Sequence, residues 1–262
     1  MTSGEAAGWA ATPLERAAPL VTGLAIVAVW HWGVRATGVP ELVLPGPAAV
    51  ARALVATWPS LLADAAVTAA TAVLGLALGG GAGLVLAFGM LRWRTVRAVS
   101  LPYVVGLRIA PVIAIAPLVF LWFGRGIVPR AVVVATLTQF PIAIGTLGGL
   151  RAVPREYLDV LRGVDAAEWQ LFVYVRLPAA ADSVEASARI AATLSLVGAV
   201  VAEFVTLRSG LGYRVYDAGF RLETAEMYAA LVVLGLLGVC FYALPGACRR
   251  GLALCTRIVH PS

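Results

Sequence analysis

The charged residues of this chain concentrate in one block, PREYLDVLRGVDAAEWQLFVYVRLP, which runs from Pro154 to Pro178. Its charged side chains are Arg155, Glu156, Asp159, Arg162, Asp165, Glu168 and Arg176. The block lies between two segments that read as membrane spans. A charged, helix-patterned block in that place could lie on the membrane surface or contact a cytoplasmic partner.

Enzyme chemistry is not predicted for this chain. All 20 basic residues are arginine, and a P-loop needs a lysine, so this chain cannot be its own P-loop ATPase. Thr193 and Ser195 have no base beside them, and His31 and His260 lack the further ligands of a metal site. We therefore expect no catalytic group, no cofactor and no metal. The net charge of +6 comes from scattered arginines, which indicates membrane topology and no nucleic-acid partner.

The composition predicts an all-α polytopic membrane protein. Hydrophobic residues make up 61% of the chain and charged residues only 13%, about half the charged fraction of a soluble domain. Long apolar runs favour helices over a β-barrel, because backbone polar groups in hydrocarbon need internal partners. We predict six spans at about 18–39, 65–91, 101–123, 127–150, 184–207 and 225–245. In span two, GLALGGGAGLVLAFG carries glycines that suit close helix packing.

The arginine distribution predicts the orientation. If the N-terminus is inside, more arginines lie in the inner segments than in the outer ones, so both termini and the charged block are expected in the cytoplasm. The predicted organisation is a cytoplasmic tail at 1–16, a membrane domain at 17–250 and a second cytoplasmic tail at 251–262. A short surface helix is expected after span one, and another in SGLGYRVYDAGFRLETAEM at the outer mouth.

The charged block is predicted to form two helices. Tyr157, Leu158, Leu161 and Val164 share one face, and Gly163 is a plausible helix stop. Asp165 to Glu168 has the spacing of a capping box, and Leu177-Pro178 is expected to end or bend the second helix. An amphipathic helix at the membrane surface and a docking element for a cytoplasmic partner fit this pattern equally well.

The order ExxDxxR…AxEWQLFxxVxLP resembles the EAA loop of ABC-importer permeases. VLPGPAAVARAL, LRIAPVIAIAPLVFLWFG and VVAEFVTLRSGLGYRVYDA extend this resemblance over about 44–244. It is closest to the branch that imports nitrate, aliphatic sulfonates, taurine, bicarbonate or thiamine-pyrimidine precursors. The resemblance implies the type I ABC-importer permease fold, with about six transmembrane helices, in the cytoplasmic membrane.

The same resemblance implies the partners and the site. Two ATP-binding cassette subunits would bind a cytoplasmic loop at about 151–183, an outer solute-binding protein would deliver the substrate, and a second permease copy would complete a homodimer in lipid. The loop residues that would contact the ATPase are Glu156, Asp159, Arg162, Gly163, Asp165, Ala166, Trp169, Leu171, Phe172, Leu177 and Pro178. Asp159 stands at the usual glutamate and Asp165 at the usual loop glycine. Gly163 is therefore expected to take over the turn, while Asp165 caps the next helix.

Two ionisable residues fall inside predicted spans, Arg108 in span three and Glu203 in span five. Such residues usually face a bundle interior or an aqueous path. They could pair with each other in a purely structural role or line a translocation pathway, with Arg108 meeting an anionic solute. A secondary transporter is the rival hypothesis, but it predicts inverted repeats, and the sequence shows no convincing one.

Overall fold

The structure is a computed structural model that describes residues 13–109 and 112–259, with side chains for 17–106 and 114–249. Every regular element in this part of the chain is a helix. In chain order these are α1 (Pro13–Thr37), α2 (Pro47–Ala56), α3 (Trp58–Arg92), α4 (Arg94–Ile109), α5 (Val112–Phe123), α6 (Ile127–Arg151), α7 (Arg155–Gly163), α8 (Glu168–Gln170), a π-helical turn (Leu171–Arg176), α9 (Leu177–Thr206), α10 (Leu211–Phe220) and α11 (Thr224–Val259).

Within the described residues, five helical stretches are long and apolar enough to cross a membrane: Ala17–Thr37, Trp58–Arg92, Ile127–Arg151, Glu168–Thr206 and Thr224–Arg249. The predicted membrane architecture is thereby confirmed. The predicted third span at 101–123 includes residues 110 and 111, which lie outside the described part, and its described residues belong to α4 and α5. This span stays a prediction.

Three helices, α3, α6 and α9, form the centre of the bundle. Gly75, Gly79 and Gly83, spaced four residues apart on α3, lie directly against α6. A methyl group on Gly83 would stand 2.7 Å from the carbonyl oxygen of Gln139, so only glycine allows this helix separation. Gly149 lies in the same way against Ala180 and Ser183 of α9. The glycine prediction for span two is confirmed.

The bundle has two ends, named here after the short helices that mark them. The α7 end carries the charged block between α6 and α9, and the α10 end carries the connection from α9 to α11. The predicted surface helix after span one is α2, whose first helical residue is Pro47, as the fixed φ of proline favours. It packs on α11 through Val50. The helix predicted in SGLGYRVYDAGFRLETAEM is α10.

Candidate functional site

The charged block forms a compact segment at the α7 end, from Arg155 through the π-helical turn, and we call it the α7–α8 segment. Its first helix, α7, buries only part of the predicted apolar face. Leu158 is 4% exposed and Leu161 is half-buried, whereas Tyr157 and Val164 of the same predicted face are 66% and 72% exposed, and Val160 is 69% exposed. Gly163 is the last residue of α7, which confirms it as the helix stop. One face of α7 thus rests on the bundle, and the opposite face is free.

The turn after α7 is a Schellman motif whose left-handed residue is Asp165. The amide of Asp165 donates to the carbonyl of Arg162 at 3.0 Å, and that of Ala166 donates to the carbonyl of Leu161 at 3.1 Å. Asp165 has a φ of 59°, at the position where helices commonly place glycine. The expectation that Gly163 takes over the turn is wrong, because Gly163 stays helical. Asp165 itself adopts the conformation, which aspartate tolerates better than most residues.

The second helix is capped differently from the prediction. The N-cap residue is Ala167, and its amide donates to Oε1 of Gln170 at 2.8 Å. The predicted capping box from Asp165 to Glu168 is therefore wrong. Asp165 is committed to the preceding turn, which moves the start of the helix two residues along the chain. Glu168 binds Arg162 instead, with Nη2 and Oε1 2.9 Å apart, and Arg162 also binds Asp159 at 3.1 Å.

Leu171 and Phe172 attach the segment to the bundle. Leu171 is 1% exposed, and the ring of Phe172 meets Phe88 of α3 edge-on, with centroids 5.7 Å apart. The chain then passes through the π-helical turn into α9 without a break, giving one helical stretch from Glu168 to Thr206. Of the two outcomes expected at Leu177 and Pro178, an end or a bend of the helix, the structure excludes the end. These two residues form the first turn of α9, where proline costs little because the wider π turn before it leaves room for the ring.

The remaining predicted docking residues lie on the surface of the segment. Trp169 is 60% exposed, next to the ring of Tyr174, and Glu156 and Asp159 are exposed on α7. We call the five most exposed large hydrophobic side chains of the segment the apolar patch: Tyr157, Val160, Val164, Trp169 and Tyr174. Apolar side chains bordered by charged ones, on a helix tip anchored to the bundle, are suited to binding a protein partner.

Glu203 is fully buried near the α10 end. Its Oε2 accepts hydrogen bonds from the amide of Gly212 at 2.8 Å and from the hydroxyl of Thr68 at 3.1 Å. The same hydroxyl accepts a hydrogen bond from the amide of Leu211 at 2.8 Å. Glu203 therefore fastens the start of α10 to α3 and α9. The side chain of Arg108, its predicted partner, lies outside the described part of the structure.

A second set of charges, which sequence reasoning missed, holds α10 from the other side. Asp64 of α3 accepts from the amide of Gly210 at 3.1 Å and pairs with Arg214 at 2.9 Å. Arg214 also pairs with Glu226 of α11 at 2.7 Å. Partial burial opposes the charge of Arg214, but its hydrogen bonds to Glu226 and Asp64 outweigh this effect and raise its pKa. Sequence patterns gave no signal for this network, because its members come from three distant parts of the chain.

Arg130 is a further residue of this end that sequence reasoning did not single out. It lies in the first turn of α6, is 4% exposed, and donates from Nη1 to the carbonyl of Ser209 at 3.3 Å. Only its position beside an apolar run hinted at burial. The α10 end is thus held by buried polar groups, Glu203 and Arg130 among them.

A groove of about 860 Å³ lies between α6 and α9 on the α7 side of the bundle. Leu137, Ile144, Gly148 and Ile190 line it, together with the hydroxyl-bearing Ser183 and Ser187. None of its described lining residues carries a charge. The groove is therefore suited to an apolar surface or to an uncharged ligand.

Comparisons with known proteins bear on both the segment and the bundle. Residues 79–252 match the sequence profile of the family described as binding-protein-dependent transport system inner membrane component. A probable ABC transporter permease protein of Haemophilus influenzae is 34% identical over 224 residues, which cover 86% of this chain and 91% of that protein. The riboflavin transport system permease protein RibX of Chloroflexus aurantiacus is 33% identical over 237 residues, which cover 88% of this chain and 87% of that protein.

One solved structure shares the fold. It is described as the crystal structure of an amino acid ABC transporter with histidines, and it superimposes with a TM-score of 0.62. The match covers 75% of this chain and 95% of that chain at 17% identity. The bundle is therefore of the type predicted from the sequence.

Proposed function

The chain belongs to the family of binding-protein-dependent transport system inner membrane components, and from this premise we propose that its α7–α8 segment is the docking site of an ATPase subunit. The chain is the permease subunit of an ABC importer, a multi-pass inner-membrane protein and not an enzyme. Energy must then come from a separate ATP-binding chain that contacts it. The observation that carries the proposal is the apolar patch, which is exposed on a segment firmly joined to the bundle.

The attachment of the α7–α8 segment to the bundle explains how docking would drive transport. Leu171 and Phe172 fix the segment to the bundle, and one helical stretch continues from Glu168 to Thr206. Movement of the docked ATPase would therefore tilt α9, which packs on α3 and α6 at the centre of the bundle. Rigid-body motion of this kind alternates access between the two sides of a membrane.

The proposal sets the orientation of the chain. ATP is cytoplasmic, so the α7 end faces the cytoplasm. Arg249, in the second half of α11, pairs with Asp182 and Glu185 at 2.6 Å, and these carboxylates lie about one to two turns from the start of α9 at Leu177. At the α10 end, Trp30 of α1 stacks on Tyr228 of α11, with centroids 6.0 Å apart. Both observations support cytoplasmic termini, with tails at 1–16 and 251–262.

A second copy of the chain completes the assembly. The membrane-spanning part of α1 has no buried residue in its apolar window, and large side chains such as Leu20 and Leu24 are more than 70% exposed. The groove between α6 and α9 is likewise open along one side. A homodimer would cover part of this apolar surface and place two α6–α9 grooves around one path, with an outer solute-binding protein at the α10 end.

The substrate is a small solute of the classes that the sequence resemblance implies. Within these classes, an uncharged pyrimidine precursor fits better than a sulfonate or nitrate. The α6–α9 groove has no charged lining among the described residues, and an anion there would lose its hydration without a compensating cation. The riboflavin transport system permease of Chloroflexus aurantiacus, a relative by sequence, is named for another heteroaromatic compound.

Co-purification tests the docking proposal. The tagged permease is co-expressed with its ATPase subunit, and the retained ATPase is quantified for Val160→Arg and Trp169→Arg. Both variants should lose the ATPase, because each places a charge in the apolar patch. Phe220→Arg is the matched control, since Phe220 is 83% exposed at the opposite end. Retention of the ATPase by both patch variants, with normal folding, contradicts the proposal. Leu171 is unsuitable for this test because it is buried, and its loss would disturb the bundle itself.

A further inference from the structure

Four arginines from four different elements meet at one cavity of about 390 Å³ at the α7 end. Arg97 comes from α4, Arg151 ends α6, Arg155 begins α7 and Arg176 lies in the π-helical turn. The apolar side chains of Leu91, Val153 and Leu158 complete the walls. Scattered arginines that only signal topology would not be expected to line a common cavity.

These four guanidinium groups have no carboxylate partner within the described residues. The polar contact that Arg176 makes is with the carbonyl oxygen of Leu150, 3.5 Å from Nη1. Elsewhere in the chain Arg162, Arg214 and Arg249 are each paired with two carboxylates. Four like charges around one cavity repel one another unless an anion lies among them.

We propose that this cavity binds a phosphate group, that of an anionic phospholipid headgroup. Arginine presents several N–H donors in a fixed plane and binds phosphate oxygens in a bidentate manner. The cavity lies where helices α3, α6 and α9 end, which is the level of the headgroups of the leaflet on that side. Basic pockets between membrane helices at this level are suited to anionic lipids. The apolar walls would contact the glycerol and the first acyl carbons.

The position of the cavity gives the bound phosphate a mechanical consequence. Bridging Arg97, Arg151, Arg155 and Arg176 would tie α4 and α6 to the start of α7 and to the π-helical turn. The phosphate would therefore stiffen the α7–α8 segment on its bundle side. Tyr157 and Val160, which lie on the opposite face of α7, would stay free. This inference needs neither ATP nor a transported solute, so it stands apart from the proposed function.

The test uses the full chain in nanodiscs. Thermal unfolding is compared in phosphatidylcholine and in phosphatidylcholine with phosphatidylglycerol, and retained lipid is counted by native mass spectrometry. Each arginine near an anionic surface contributes about 1 kcal/mol, about five-fold in affinity. Arg97→Gln/Arg151→Gln should therefore bind phosphatidylglycerol roughly 25-fold more weakly and lose its stabilisation by this lipid. Arg94→Gln, one turn from Arg97 but outside the cavity, should behave as the wild type. Arg151→Lys should retain most of the effect.

Further measurements distinguish a lipid phosphate from free phosphate and define the results that overturn the proposal. If inorganic phosphate stabilises the chain in phosphatidylcholine alone, and the double variant abolishes this effect, the site binds a free phosphate. An equal response of the wild type and the double variant to phosphatidylglycerol and to phosphate overturns the proposal. The proposal also fails if the double variant keeps its lipid response but loses the ATPase subunit, because the cavity would then receive an acidic side chain of that partner.

Discussion

Arg162 and Glu168, six residues apart, join the two helices of the α7–α8 segment across the turn. Nε and Nη2 of Arg162 lie 3.0 and 2.9 Å from the same carboxylate oxygen, Oε1 of Glu168. Nη1 of Arg162 reaches Asp159 on its other side at 3.1 Å. The hydrogen bond to Glu168 raises the pKa of Arg162 above its already high ordinary value, so Arg162 stays charged at any physiological pH.

Loss of the Arg162–Glu168 clamp should weaken coupling more than stability. The pair is exposed, and exposed ion pairs contribute little to folding, so Arg162→Gln should leave thermal unfolding almost unchanged. The relative orientation of α7 and α8 would be less defined, and transport-coupled ATP hydrolysis should fall several-fold. The reversed pair Arg162→Glu/Glu168→Arg should recover part of the activity. Equal activity of the single variant and the wild type in proteoliposomes would show that the clamp is dispensable.

Asp165 and Gly163 should respond oppositely to alanine. Asp165→Ala forces a less tolerant residue into the left-handed region and should cost about 1 kcal/mol of unfolding free energy, whereas Asp165→Gly should be neutral or stabilising. Gly163→Ala should gain about 0.5–1 kcal/mol, because Gly163 is helical and a methyl group there meets nothing within 4 Å. Denaturation in detergent measures all three. Destabilisation by Gly163→Ala would indicate that Gly163, and not Asp165, adopts the left-handed conformation of the turn.

Alanine substitutions at the neighbouring Gly79 and Gly80 of α3 should have opposite effects on stability. A methyl group on Gly79 would overlap the hydroxyl of Thr138 and lie 2.7 Å from the carbonyl oxygen of Ala135. Gly79→Ala should therefore separate α3 from α6 and cost about 1–3 kcal/mol. A methyl group on Gly80 meets nothing within 4 Å, and Gly80→Ala should gain about 0.5–1 kcal/mol through helix propensity. Similar melting temperatures for the two variants would contradict the packing described.

Glu203→Ala should loosen α10. The amide of Gly212 would lose its acceptor in a buried place, at a cost of about 1–3 kcal/mol. Hydrogen exchange in α10 should accelerate, while Glu223→Ala, an exposed change nearby, should leave it unaltered. If Glu203→Ala instead changes solute selectivity while α10 keeps its protection, Glu203 lines the pathway and its structural role is secondary.

Sequence alone determined the features that depend on local chemistry. Apolar runs of sufficient length predicted the membrane helices, since an unpaired backbone is excluded from lipid wherever it lies in the chain. The stop of α7 at Gly163 followed from local sequence, whereas spacing grouped Tyr157 and Val164 with the buried Leu158 although both are exposed. The glycine-rich stretch of α3 predicted close packing, and the docking role of the charged block stays a prediction.

Tertiary structure decided which distant residues meet, because periodicity reports a face of a helix but not its neighbour. Glu203 accepts a hydrogen bond from Thr68, 135 residues away, and the buried Arg130 donates to the carbonyl of Ser209. Leu177 and Pro178 continue a helix because the π-helical turn accommodates the ring. The left-handed turn falls on Asp165 because the two Schellman hydrogen bonds select the second residue after the helix. The meeting of four arginines required the fold itself, since each comes from a different element.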